Sequence, residues 1–174
     1  MILKNGMKLS ILKAVKEDAK DIIEYLNIVG GESDNLLFGK NGFHMTVEDE
    51  ERYIENLKES KVSALIVGKI NEEIVCIGSI VTPNRERISH QSDIAISVKK
   101  EFWNIGIATE LMKELIEFAK MNGRTEIIHL GVKADNVNAI KLYKNMGFEE
   151  IGVYKKFFKI NGLYYDEILM NLYL

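Results

Sequence analysis

Two apolar runs, DIAISV (93–98) and IIHLGV (127–132), flank one helical pattern. That order constrains the fold more than any other feature. Between them, Leu111, Met112, Leu115, Ile116 and Ala119 form the apolar stripe of a helix over 106–122, closed at Gly123. A strand–helix–strand crossover makes its two strands parallel neighbours, with the helix packed over them. The remaining runs must therefore build outward from a parallel pair.

They do so through hairpins. VSALIVGKI and IVCIGSIV meet at Asn71-Glu72-Glu73 and read as an antiparallel pair in the core. IGVYKKFFKI and LYYDEILMNLYL flank Asn161-Gly162, the strongest short hairpin signal. Residues 7–15 alternate and begin the sheet. Ile22, Ile23, Leu26 and Val29 share one helical face that stops at Gly30-Gly31. Residues 32–45 lack a period and read as an ordered loop or a broken helix. Thr46 caps the next helix, which runs to about Leu57 with acidic residues in its first turn. A short helix over 138–146 follows IIHLGV and ends at Gly147. The order β-α-α-β-β-β-α-β-α-β-β predicts an α+β class: a mixed, mostly antiparallel twisted sheet flanked by helices. The 174 residues contain no linker-like shift in composition and read as a single domain over 1–174.

Composition narrows function by exclusion. The net charge of −3 argues against the clustered basic face that nucleic acid requires. No apolar stretch is long enough to span a bilayer and no secretory pattern precedes the first strand, so no membrane partner and a cytoplasmic location are the expectation. The single cysteine, Cys76, reads as a small buried hydrophobe rather than a nucleophile. His44, His90 and His129 have no ligand partner at metal spacing, so no metal is expected. His129 reads as a strand residue.

The stretch EFWNIGIATELM (101–112) carries the first chemistry. A strand runs through a short turn into a helix, and such a junction exposes unpaired N–H groups at the positive end of the helix dipole. Gly106 and Ala108 are small enough for an anion to approach the backbone. Neither a nucleotide P-loop nor a dinucleotide fingerprint fits, for want of a Gly-Lys-Ser/Thr and of the three-glycine spacing. By itself the stretch fits an ordinary helix start as well as a phosphate cradle.

ADNVNAIKLYKNMGF (134–148) changes that reading. Asn136, Ala139, Leu142, Tyr143, Gly147 and Phe148 resemble the second cofactor signature of the GNAT superfamily of N-acetyltransferases. Gly106 and Ala108 then match the last fixed positions of the first signature. Trp103 stands where that family usually has Gln or Arg, and Asn104 where a glycine is frequent, so side-chain charge is missing from the cradle.

The resemblance spans nearly the whole chain and implies its fold, acetyl-CoA as cofactor, and a wedge between the strands ending at Val98 and near Val132. It implies that backbone groups of Ile96 and Val98 pair with the pantetheine arm. The loop from Trp103 through Asn104, Ile105, Gly106, Ile107, Ala108 and Thr109 would hold the pyrophosphate, with Asn136 and Ala139 beside the arm.

Attack of an amine on a thioester develops an oxyanion and expels a thiolate. A backbone N–H suits the first charge and a phenol the second. Tyr143 is the implied acid, although its helical face also suits core packing. A protonated amine needs a base, and Asp93 is the first candidate, against a plain strand-end charge. Glu32 and Asp34, in the loop that borders the acceptor site in this family, would attract a cationic acceptor or simply be solvated. Tyr164 and Tyr165 of the last hairpin would approach it. The acceptor is expected to be a small-molecule amine or a protein N-terminus, and the free edge of the last hairpin would suit a homodimer. The rival reading is a non-catalytic acyl-CoA-binding or regulatory module.

Overall fold

The computed structural model describes residues 1–174. Its strands are β1 (Ser10–Lys13), β2 (Ala64–Ile70), β3 (Glu73–Val81), β4 (Gln91–Val98), β5 (Ile127–Lys133), β6 (Glu149–Ile160) and β7 (Leu163–Tyr173). Its helices are α1 (Ala19–Val29), α2 (Val47–Glu59), α3 (Ile107–Met121) and α4 (Val137–Asn145). All seven strands form one sheet in the order β1-β2-β3-β4-β5-β7-β6. Only β4 and β5 are parallel, as the crossover through α3 requires. No helix is long and apolar enough to cross a membrane.

Local chemistry accounts for the hairpins. Ile70 pairs with Glu73 and Ile160 with Leu163, so each turn has two residues. All four turn residues, Asn71, Glu72, Asn161 and Gly162, have positive φ, the geometry that matches strand twist. Thr46 caps α2 by accepting the Asp49 N–H at 3.1 Å. Gly147 ends α4 at φ 93°.

Gly30 behaves differently from the plain helix stop that the sequence suggests. Its backbone is helical, and a Cβ there would lie 2.5 Å from the carbonyl oxygen of Gly39. The loop 32–45 is ordered against this helix end. Asn27 holds Phe43 by two hydrogen bonds, at 3.0 and 3.2 Å. Strand β1 is shorter than the alternation over 7–15 suggests. Residues before it form a separate bridge between Ile2 and Lys8.

Two cores sandwich the sheet. Leu111, Leu115 and Met112 of α3 pack with Ile128, Leu130 and Met170 on one face. Ile22 and Tyr25 of α1 and Ile54 of α2 pack with Leu65, Val67 and Ile77 on the other. Strands β4 and β5 are joined for only three residue pairs, Gln91–Ile127, Ser92–Ile128 and Asp93–His129. A buried hydroxyl chain pins that closed end. Ser92 Oγ lies 2.7 Å from Thr82 Oγ1 and 2.8 Å from Thr125 Oγ1. Beyond Asp93, β4 stays with β3 and β5 stays with β7, so the sheet opens as a V.

Candidate active site

The V presents a raw strand edge. Val98 pairs with Cys76, and the Lys99 N–H bonds the opposite Val75 carbonyl at 2.9 Å. Antiparallel alternation then turns the backbone groups of Lys99, Ser97 and Ala95 toward β3, and those of Val98, Ile96 and Ile94 into the V. No strand covers this edge. A cavity of about 650 Å³ fills the opening between β4, β5, α3 and α4.

At one end of the cavity lies the cradle. Asn104 and Gly106 have positive φ, 64° and 98°. Left-handed residues at alternating positions turn successive N–H groups toward a common side. From Asn104 to Thr109, six consecutive backbone N–H groups find no acceptor in the protein. Three belong to the first turn of α3, where the dipole is positive. A Cβ on Gly106 would meet no protein atom within 4 Å. The loop is tied to β4 by Trp103, whose Nε1–H donates to the Val98 carbonyl at 2.7 Å. That bond occupies one lone pair of a group the sequence reading gave to pantetheine, leaving the Val98 N–H and both Ile96 groups free. Trp103 thus orders the loop where a cationic side chain is absent.

Tyr143 lines the cavity from α4, at 9% exposure. Its ring packs on Phe148 with centroids 5.9 Å apart. Burial raises its hydroxyl to about 12. That hydroxyl has no protein partner and is not sealed in the core, so it opens to the cavity. Asn136 caps α4, its Oδ1 accepting the Ala139 N–H at 3.3 Å. Its amide nitrogen and the second lone pair of Oδ1 remain for a ligand.

The expected cofactor residues converge on this cavity with one exception. Ile105 does not line it and packs against the α3 core. Glu32 lines it, but one carboxylate oxygen accepts the Lys100 N–H at 2.7 Å. Asp34 lines a neighbouring hollow against the β6–β7 hairpin. Tyr164 lines neither cavity and lies near Lys156 and Lys159. Tyr165, on the opposite face of the hairpin, instead meets Lys133, whose Nζ stands 3.8 Å from its ring centre. Asp93 is exposed in the laddered part of β4, outside the cavity wall. Cys76 is fully buried and its thiol is pushed up to about 12 by that burial, so it packs as a hydrophobe.

Some wall residues carried no sequence signal. Lys133 ends β5, is buried, and pairs with Asp135 at 2.6 Å. Lys4, from the N-terminal bridge, reaches the rim. Their roles depend on where the strands end, which no local pattern gives.

The site geometry defines a class that comparison with known proteins makes definite. Residues 12–169 match the family model described as an acetyltransferase (GNAT) domain. The chain belongs to the GNAT acetyltransferase family. Over 60% of its length it is 39% identical to the L-amino acid N-acetyltransferase AaaT of Escherichia coli, and that match spans 65% of the relative. An acetyltransferase of the GNAT family from Streptococcus pneumoniae superposes with a TM-score of 0.94 at 28% identity, covering 96% of this chain and 100% of that one. A phosphinothricin acetyltransferase from Sinorhizobium meliloti, solved in complex with acetyl-CoA, shares the fold at a TM-score of 0.81 and 17% identity, covering 97% of this chain and 89% of that one.

Proposed function

We propose that this protein is an acetyl-CoA-dependent N-acetyltransferase that transfers the acetyl group directly to a primary amine of a small molecule, with L-amino acids as the first acceptors to test. The observation that carries the reading is the run of six unpartnered N–H groups from Asn104 to Thr109, five of whose residues line the same cavity as Tyr143. A doubly charged pyrophosphate fits such a cradle. The free backbone groups of Ile96 and Val98 suit an extended amide-bearing arm, which they would bind as an added strand. The Asn136 amide nitrogen lies beside the same path. Acetyl-CoA, when bound, supplies the activated acetyl thioester. The similarity to AaaT supports L-amino acids as acceptors.

Tyr143 has a defined task in this reading. At neutral pH its phenol keeps its proton, because burial holds it at about 12. Full transfer to a thiolate of ordinary pKa, about 8.5, would be uphill by roughly 5 kcal/mol. The hydroxyl therefore donates a hydrogen bond to the departing sulfur, and the proton that ends there originates on the acceptor nitrogen. Tyr143→Phe removes the donor and keeps the ring on Phe148. It is expected to lower kcat by about 10- to 1,000-fold while acetyl-CoA affinity changes less than threefold. An unchanged kcat, with chemistry shown to limit the rate, refutes the role.

A further inference from the structure

The acceptor amine is protonated in water, and its proton must leave before the nitrogen can attack. Among the carboxylates around the opened sheet, one is unusual. Glu167 of β7 pairs across the ladder with Lys133, so the two side chains share a face. It leans along β5 onto Gly131, where a Cβ would lie 2.5 Å from its carboxyl carbon. Gly131 is two residues past His129, the last β5 residue paired with β4. A glycine at this position is what allows a carboxylate to lie across β5 where the sheet parts.

Glu167 also lacks a partner. Lys133, its direct neighbour, turns instead to Asp135 and to the Tyr165 ring. His129 bonds Asn171 Oδ1 through Nδ1, at 2.8 Å. No hydrogen bond or ion pair in the protein involves the Glu167 carboxylate, and it is partly exposed. By contrast, Glu32 is committed to the Lys100 N–H, and Asp93 stands in the closed ladder before the V opens.

We propose that Glu167, which stands outside the cavity wall but directly beside Lys133 of that wall, receives the acceptor ammonium and removes its proton, taking the place that the sequence suggested for Asp93. The inference rests on the N-acetyltransferase reading above. In the step, an ammonium N–H bond breaks, a carboxyl O–H bond forms, and the nitrogen keeps the electron pair. That pair forms the C–N bond as the C–S bond breaks. A second nitrogen proton passes to sulfur beside Tyr143, and Glu167 returns its own proton to water. Partial burial raises the Glu167 carboxyl above the ordinary carboxylate range, opposed by the charge on His129. The groups facing it are His129 and Lys133 of β5 and Tyr154 of β6, with Tyr165 beside it on β7 and Glu149 further along at Asn171.

The test compares the wild-type chain with Glu167→Gln, Gly131→Ala and Asp93→Asn. It measures thiol release from acetyl-CoA from pH 5 to 9.5 with the L-amino acid that the wild type acetylates fastest. The wild-type kcat/KM is expected to rise with pH through the Glu167 ionisation. Glu167→Gln should lose that limb and about 100-fold or more of kcat/KM near neutrality, with unchanged acetyl-CoA affinity by calorimetry. Gly131→Ala should displace the carboxylate and lower kcat/KM in the same direction, and Asp93→Asn should stay within threefold. A carboxyl ¹³C NMR titration should report a Glu167 midpoint above the ordinary value in the wild type. A Glu167→Gln enzyme within threefold of wild type, with its pH limb intact, overturns the proposal while leaving the transferase reading standing. Loss of the limb in Asp93→Asn alone does the same. A wild type that releases no thiol with any amine overturns both.

Discussion

Gly106→Ala tests the cradle through two separable quantities. Gly106 sits at φ 98° and ψ −2° immediately before α3. An L-residue in the left-handed region costs about 1–2 kcal/mol relative to glycine. For a chain of 174 residues that lowers Tm by roughly 2–8 °C. The protein remains folded, since no protein atom lies within 4 Å of the new Cβ. Binding should suffer more. The backbone shifts as φ relaxes, which turns the N–H groups of the loop away from their common side. Losing one charge-assisted hydrogen bond costs about 1.5–3 kcal/mol, a 10- to 150-fold weaker Kd. Isothermal calorimetry with acetyl-CoA reads this directly, and dephosphorylated pantetheine serves as control. The ratio of the two affinities should collapse in the variant. An acetyl-CoA Kd within twofold of wild type would show that the stretch is a plain helix start.

Two further outcomes follow from burial and from the loop tie. Glu50 is buried with one carboxylate oxygen unpartnered, and burial raises its carboxyl above the ordinary value. Its penalty is therefore absent below the unfolded-state pKa and grows as pH rises through the folded value. Glu50→Gln should stabilise the protein at pH 7 by about 1–2 kcal/mol, with the gap in Tm closing below about pH 4; an equal gap at both pH values contradicts this. Trp103→Phe frees the Val98 carbonyl and unties the loop, at a cost of about 0.5–1.5 kcal/mol. Acetyl-CoA should bind about 2- to 10-fold more weakly by calorimetry, and an unchanged Kd would mean that the indole tie does not order the cradle.

Much of the fold was legible because its signals are local. Asn161-Gly162 sets the β6–β7 register, the α3 stripe fixes the crossover, and the crossover dictates the parallel pair. The turn into α3 was legible for the same reason, since a helix start and its glycine leave marks in a short window, whereas its reading as a phosphate cradle came only from the resemblance of 134–148 downstream. What stayed hidden depends on contacts between distant strands. Gly30 is required by the approach of Gly39 rather than by its own φ. Of the adjacent Tyr164 and Tyr165, only the pairing register decides which faces Lys133. Glu167 stood in the pattern LYYDEILM without distinction, because its position depends on the absent side chain of Gly131, 36 positions earlier in the chain. Strand ends are equally non-local, which is why Lys133 and Lys4 were missed.

The most direct test of the account is amine-dependent thiol release. The purified chain is mixed with acetyl-CoA and, separately, with each L-amino acid, a polyamine and a short peptide bearing a free N-terminus, while free thiol and N-acetyl product are followed together. Steady release is expected with at least one small amine, with one N-acetyl product per thiol and only background release without an amine. Tight acetyl-CoA binding with no release above background across the whole panel would contradict it and leave a cofactor-binding module in its place.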